Sequence, residues 1–219
     1  MSLFITITGM SGAGKGAVMR LICSYNPAIK FLVTATTRTP RAHEQNGVHY
    51  HFMTKDEFKA KQAAGEFLET NIMNYTGDPA LEAKTNFYGS LRSVVEGHFA
   101  RGEDVVADLE INGVKQVYEK MPNRHLKFAL LPPSREEYER RMLHRAETSG
   151  ENSEDVKARM ALALEDLAHL NDPDYVFKNK DMMGSTQKFY DAVFYNHDLA
   201  ETADLILKTV EKMRKERRL

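Results

Sequence analysis

Leu3-Phe4-Ile5-Thr6-Ile7-Thr8 runs straight into Gly9-Met10-Ser11-Gly12-Ala13-Gly14-Lys15, and a helical pattern follows from Gly16 to Tyr25. An apolar β-rich run, a glycine loop and a helix, in that order, open a phosphate-binding α/β unit. The glycines let successive backbone N–H groups face one anion, the helix adds its positive end, and Lys15 reaches the outer phosphates. The loop residues Gly9, Ser11, Gly12, Ala13, Gly14, Lys15, Gly16 and Ala17 are therefore expected to cradle the phosphates of a nucleotide. The usual Ser or Thr after the lysine is Gly16, and Ala17 follows it, so neither position offers Mg²⁺ a hydroxyl. The metal then has to be held by phosphates, water and carboxylates elsewhere.

Strand-like and helix-like patterns alternate through the rest of the 219 residues, which predicts an α/β fold with a parallel core sheet flanked by helices. A strand is expected over 31–37 and a short one over 48–52. Thr54-x-x-Glu57 is a capping box for a helix that Gly65 ends. A helix over 91–101 leads to a strand over 104–109, and further strands are expected at 126–131 and 192–195. Between these last two lies a helical hairpin: Ser134-x-x-Glu137 caps its first helix, Ser149-Gly150 turns the chain, and a second helix covers 153–170. The final helix, 199–218, ends in Lys212, Arg214, Lys215, Arg217 and Arg218, a basic end that complements the helix dipole.

Thirty Lys and Arg against 31 Asp and Glu leave a net charge of -1, which gives no global pull toward nucleic acid or a membrane surface. Phosphate must be met by local clusters. With 42% hydrophobic residues the chain is not disordered. No apolar run approaches the roughly 18 residues of a membrane span, and the opening residues have no basic leader, so a cytoplasmic protein is expected. Cys23 cannot form an intramolecular disulfide, and its context, VMRLICSY, reads as a buried small hydrophobe. His49 and His51, on one predicted strand face, lack the third ligand of a zinc site.

Asp108 and Glu110 follow the apolar strand Val105-Val106-Ala107 two residues apart, so they share a face. At that strand end a carboxylate can orient the waters of Mg²⁺ or the acceptor. Asn179-Lys180-Asp181-Met182 has the start of a guanine-reading NKxD motif, but Met182 stands where the aspartate is needed. The segment Thr34-Ala35-Thr36-Thr37-Arg38-Thr39-Pro40-Arg41-x-x-Glu44-x-x-Gly47-x-x-Tyr50-x-Phe52 concentrates two arginines and a tyrosine, donors suited to a dianionic monophosphate. Arg141 and Arg145 are i,i+4 neighbours and Arg159 lies on the return helix, so three guanidiniums could converge on a bound triphosphate.

With GEFLE, FYGS, DLEINGV, LPPS and VFYNHDL following GMSGAGKG, TTRTPR and GVHYHF in order, essentially the whole chain resembles the guanylate kinase family. The resemblance implies a P-loop fold of one domain. Its core would be 1–34, 89–134 and 171–219, with a GMP-binding subdomain at 35–88 and a lid at 135–170. It implies phosphoryl transfer from ATP to GMP or dGMP with Mg²⁺. Arg38, Arg41, Tyr50 and Tyr88 would hold the GMP phosphate with Glu44 in the same motif. Glu69 would accept the paired N1–H and N2–H₂ donors of guanine, with Thr34 and Ser90 as base-contacting hydroxyls and Asp108 and Glu110 beside them. Lys15, Arg38, Arg141, Arg145, Arg159 and Asp108 would be catalytic, and Asn196 would lie near the ATP adenine with Arg141 and Arg145 on the phosphates. Mg²⁺ would have no direct protein ligand, Asp108 at most touching its waters.

Three departures from the family pattern stand out. Gly16-Ala17 lacks a hydroxyl, Glu110 replaces an aspartate, and residues 73–85 and 171–186 are insertions. They leave two alternatives open: a guanylate-kinase-like binding module of weak activity, and a kinase for another phosphorylated acceptor. A monomer or a homodimer fits the sequence equally.

Overall fold

The computed structural model describes residues 1–10, 12–41, 44–73, 85–149 and 190–217. In chain order the elements are β1 (Phe4–Thr8), α1 (Lys15–Tyr25), β2 (Ile29–Phe31), β3 (Ala35–Thr36), β4 (His51–Phe52), α2 (Lys55–Ala63), β5 (Phe67–Met73) and β6 (Asn86–Leu91). They continue with α3 (Arg92–Ala100), β7 (Asp104–Asp108), α4 (Ile111–Lys120), β8 (His125–Leu131), α5 (Arg135–Ser149), β9 (Ala192–Tyr195) and α6 (Leu199–Glu216). Five strands form a core sheet in the order β2-β7-β1-β8-β9, with β2 parallel to β7 and β8 parallel to β9. Every residue of β8 and the first four of β1 are buried, as expected of strands covered on both faces. The α/β class and the parallel core sheet are as the sequence predicts. No helix among the described residues is long and apolar enough to cross a membrane.

The chain divides into two compact units, the first made of Met1–Ile5 and Pro27–His125. It contains a four-stranded mixed sheet in the order β4-β3-β6-β5, where β3 runs parallel to β4 and antiparallel to β6. Beneath that sheet Ala35, Phe58, Phe67, Phe87 and Leu91 form a buried cluster, with Phe58 stacked on Phe67 at 4.4 Å and tilted against Phe87 at 5.5 Å. Phe58 reaches it because α2 starts at the predicted capping box: Thr54 Oγ1 accepts from the Glu57 N–H and the Glu57 carboxylate accepts from the Thr54 N–H. Gly65, at φ 71°, takes the left-handed conformation that ends the helix.

The second unit comprises Thr6–Asn26 and Leu126–Leu219. Here α1 buries Val18, Met19 and Ile22. Cys23, next to that stripe, is partly exposed rather than buried. The predicted cap at Ser134 holds, its Oγ accepting from the Glu137 N–H at the start of α5, and Asp198 accepts from Ala200 and Glu201 at the start of α6.

Three expectations need correction. The strand expected over 31–37 is two strands in two sheets. Leu32 still donates its N–H to Val106 O in the core sheet, whereas Thr34 and Thr36 offer their carbonyls to His51 and Met53 in the small one. Of 48–52 only His51–Phe52 is strand, because Gly47, at φ 77°, turns the chain and its N–H closes on Tyr50 O. His49 therefore sits in a turn, its Nδ1 accepting from the Gln45 N–H, and does not share a strand face with His51. The pattern also missed α4, β5 and β6. The second helix of the predicted hairpin, 153–170, lies outside the described residues.

Replacing Phe58 with alanine removes the ring at the centre of the aromatic cluster. Chemical unfolding is expected to show a loss of about 3–5 kcal/mol.

Candidate active site

The phosphate loop belongs to the second unit. Gly12 and Gly14 adopt φ 85° and 90°, conformations that only glycine takes without strain. A Cβ at Gly9 would lie 2.0 Å from Leu130 O, and one at Gly14 would lie 2.4 Å from Asn196 Nδ2. Position 12 faces Met142 Sδ at 3.0 Å, so the loop is walled by α5. Lys15 Nζ donates to Gly9 O at 2.6 Å and Met10 O at 3.1 Å, which holds the ammonium against the loop's own rim. Gly16 and Ala17 occupy the first turn of α1 and are half-buried. Ser11 lies outside the described residues.

Asn196 is fully buried, donates from Nδ2 to Ala13 O at 2.7 Å and accepts from Thr202 Oγ1 at 3.3 Å. It sits under the loop. Arg141 spans the same junction, donating from Nη2 to Asn196 O at 2.9 Å and from Nη1 to Ala13 O at 3.4 Å, while its Nε is held by Glu137 at 2.7 Å. Glu137 also takes Arg140, and the two guanidiniums hold its carboxyl far below the usual range, at about 2. Arg145 follows one turn later on α5. Arg159 lies outside the described residues, so the convergence of three arginines is not seen. Thr202, which fixes the Asn196 amide, carries no motif that sequence reading could have used.

The second cluster belongs to the first unit. Arg38 donates from Nη2 to both Glu44 oxygens, at 2.7 and 2.9 Å, and from Nη1 to Thr39 O at 2.8 Å. Its guanidinium lies 5.5 Å from the Tyr50 ring centre and 5.9 Å from that of Phe52. Glu44 also accepts the Arg41 N–H at 2.7 Å, while the Arg41 side chain is exposed. With Arg38 the larger cause and the Arg41 N–H the second, the Glu44 carboxyl is lowered to about 2. Tyr50 and Tyr88 meet edge to face at 6.1 Å. Burial raises the Tyr50 pKa, so its phenol keeps the proton it would donate. The Tyr50 phenol also feels the charge of Asp108, which is exposed at the end of β7.

Tyr88 and Ser90 alternate onto one face of β6, and Ser90 pairs across to Glu69 on β5. Ser90 Oγ donates to Glu69 Oε1 at 2.7 Å. Glu69 is 3% exposed. Burial, the largest cause, raises its pKa to about 6 against the lowering effect of the Ser90 hydrogen bonds. Thr34 is half-buried just before β3. Glu110 is the N-cap residue of α4, exposed, and makes no side-chain capping bond.

A phosphate loop built on a parallel sheet, with a separate cluster of arginine, tyrosine and buried carboxylate, defines a P-loop nucleotide kinase. The guanylate kinase family model matches residues 2–196, and the chain belongs to that family, whose members are ATP-dependent nucleoside monophosphate kinases. Guanylate kinases of Cereibacter sphaeroides and Vibrio vulnificus are 33% and 39% identical to it. The first match covers 98% of this chain and 89% of the relative, the second 80% and 79%. Among solved structures, guanylate kinase from Anaplasma phagocytophilum shares the fold, with TM-score 0.63 and 23% identity over 97% of this chain and 86% of that one.

Glu69 binds its proton more tightly in the folded chain, so its contribution to stability is present below pH 4.5 and lost as pH rises through 6, a change of about 2 kcal/mol. Glu69→Gln should therefore unfold at higher urea than the parent at pH 8, and the two should converge near pH 4.5. Glu110→Asp supplies the shorter carboxylate that an N-cap needs and should raise stability by about 1 kcal/mol in the same measurement.

Proposed function

We propose that this guanylate kinase moves the γ-phosphoryl group of ATP to GMP, or dGMP, by alignment and charge neutralisation alone. The observation that carries the acceptor is the buried Glu69 held by Ser90. Guanine presents N1–H and N2–H₂ side by side, and an ionised carboxylate accepts both, whereas adenine has no such donor pair. Ser90 adds a hydroxyl beside that carboxylate, and Thr34 would offer a second hydroxyl to the base. The GMP phosphate is taken by Arg38, Arg41, Tyr50 and Tyr88. Glu44 holds Arg38 and the Arg41 backbone in the geometry found here, so that ordering the arginine costs little when the phosphate arrives.

Gly9, Ser11, Gly12, Ala13, Gly14, Gly16 and Ala17 present backbone to the ATP phosphates. Lys15 exchanges the Gly9 and Met10 carbonyls for phosphate oxygens, with Arg141, Arg145 and Arg159 of the 135–170 lid adding positive charge. Asn196 supports this site from beneath through Ala13. An oxygen of the GMP phosphate attacks the γ-phosphorus while the bond to the β–γ bridging oxygen breaks, and ADP carries that electron pair away. No covalent enzyme intermediate is required. Closure of 35–88 and 135–170 over the core would exclude water from the transfer.

The loop offers Mg²⁺ no hydroxyl at positions 16 and 17, and no group of three His, Cys, Asp or Glu among the described residues could cage it. That donor set fits a cation which keeps its waters and binds substrate phosphates, and Asp108 is the carboxylate that would help hold it through water. Bound so, Mg²⁺ would supply neutralising charge to the transferring phosphates. ATP and GMP are the partners in this reading, and the cytoplasm is the compartment.

Formation of ADP should be measured with GMP, dGMP, AMP, CMP, UMP and ribose 1,5-bisphosphate offered separately. Only the guanine nucleotides should turn over, by roughly 10⁴ over the others. Lys15→Met should reduce turnover of GMP to background. Turnover of a different acceptor would overturn the role given to Glu69, and an active Lys15→Met variant would remove the lysine from the mechanism.

A further inference from the structure

The helix α4 stands against β5 through one face, because Gly113, Gln116 and Lys120 are three and four residues apart. Gly113 is buried, and a Cβ there would lie 2.8 Å from Glu69 Oε2 and 3.3 Å from its Cδ. The helix backbone therefore approaches the guanine-reading carboxylate with no side chain between them. One turn on, the Gln116 carboxamide makes two bonds to Thr70, the residue after Glu69. Its Oε1 accepts the Thr70 N–H at 3.1 Å and its Nε2 donates to Thr70 O at 2.9 Å. Lys120 Nζ donates to the carbonyl of Leu68, the residue before Glu69. Both chain neighbours of Glu69 are thus fastened to α4 by their backbones.

We infer that Gln116, seated by the close approach at Gly113, is a positioning residue that sets the Glu69 carboxylate for guanine and so fixes acceptor selection. It rests on the reading of Glu69 given above. β5 is the edge strand of its sheet, so only β6 fixes it from one side. The register shifts between Phe67 and Glu69, which loosens the ladder just where the carboxylate leaves the strand. A two-point amide at Thr70 does for the open side what a further strand would do. Because guanine must meet both carboxylate oxygens at once, a small displacement of β5 degrades recognition while leaving the phosphate loop of the other unit intact. Lys120, whose cation favours the ionised form of Glu69, works in the same direction.

The test uses the full chain with Gln116→Met, which keeps the length and helix preference of the side chain but neither hydrogen bond. KM for GMP should rise about tenfold with kcat within about twofold, KM for ATP should be unchanged, and the preference for GMP over IMP, which lacks the N2 amine, should fall. Gly113→Ala should do the same by displacing the carboxylate directly. Calorimetric binding of GMP without ATP gives a second readout that does not depend on turnover, and the unfolding midpoint confirms that each variant folds. Glu69→Gln is run beside them. If it raises KM for GMP while a folded Gln116→Met leaves KM and the GMP-to-IMP ratio at parental values, the positioning role is overturned and the reading of Glu69 stands. If Glu69→Gln itself leaves GMP binding unchanged, the reading of Glu69 falls and takes this inference with it.

Discussion

A loop that must offer most of its N–H groups to an anion cannot also spend them on its own shape, so it has to be held by its carbonyls. Among the described loop residues this chain does that at Gly9, Met10, Ala13 and Gly14, while spending the Ala13 N–H on Met10 O. Gly9 and Met10 carbonyls accept from Lys15, Met10 O also takes the Ala13 N–H, Ala13 O takes Asn196 and Arg141, and Gly14 O takes the first turn of α1. Much of the surrounding architecture is there to deliver those donors. β9 ends where Asn196 must stand, α6 begins so that Thr202 can fix its amide, and α5 lies where Arg141 reaches both. The glycines at 9 and 14 are the counterpart of this arrangement, since a side chain at either would collide with Leu130 or Asn196.

The acceptor cluster solves a different problem with the same economy. In the proposed reading guanine meets a carboxylate, and a carboxylate discriminates best where water cannot compete, yet burial opposes its charge. Glu69 lies in that conflict, its pKa pushed up to about 6 and only partly relieved by Ser90. Glu44, by contrast, is held ionised by Arg38 and the Arg41 N–H, and it orders the Arg38 guanidinium in return. The two glutamates thus differ by their surroundings, one buried in a strand and one ion-paired in a loop, and only the structure shows those surroundings.

What was legible in the sequence follows the strength of local signals. The loop, the capping box at Thr54, the single capping bond at Ser134, the glycine stop at position 65 and the strand at 192–195 depend on neighbours in the chain, and all appear where the pattern puts them. β5 was missed because the residues that make it useful, Glu69, Thr70 and Asn71, are polar and break the expected alternation. α4 was missed because Asn112-Gly113 at its start reads as a turn, although Gly113 is there for a close approach to Glu69. The split of 31–37 between two sheets could not be read at all, since Phe31-Leu32-Val33 and the threonines at 34, 36 and 37 are all strand formers and only tertiary pairing separates them. Among the site residues, types and order were legible; which way Asn196 faces, and that Glu44 grips Arg38, were not.

The contacts along the outer side of β5 have a meaning for the molecule as a solute. An uncovered edge strand invites any other extended chain to pair with it. Here the Leu68 carbonyl is met by Lys120, both Thr70 groups by Gln116, and the Ile72 N–H by the side chain of Asn71. Side chains close, one residue at a time, a seam that would otherwise be adhesive. A second extended chain therefore meets, along 68–72, four backbone groups that are already taken.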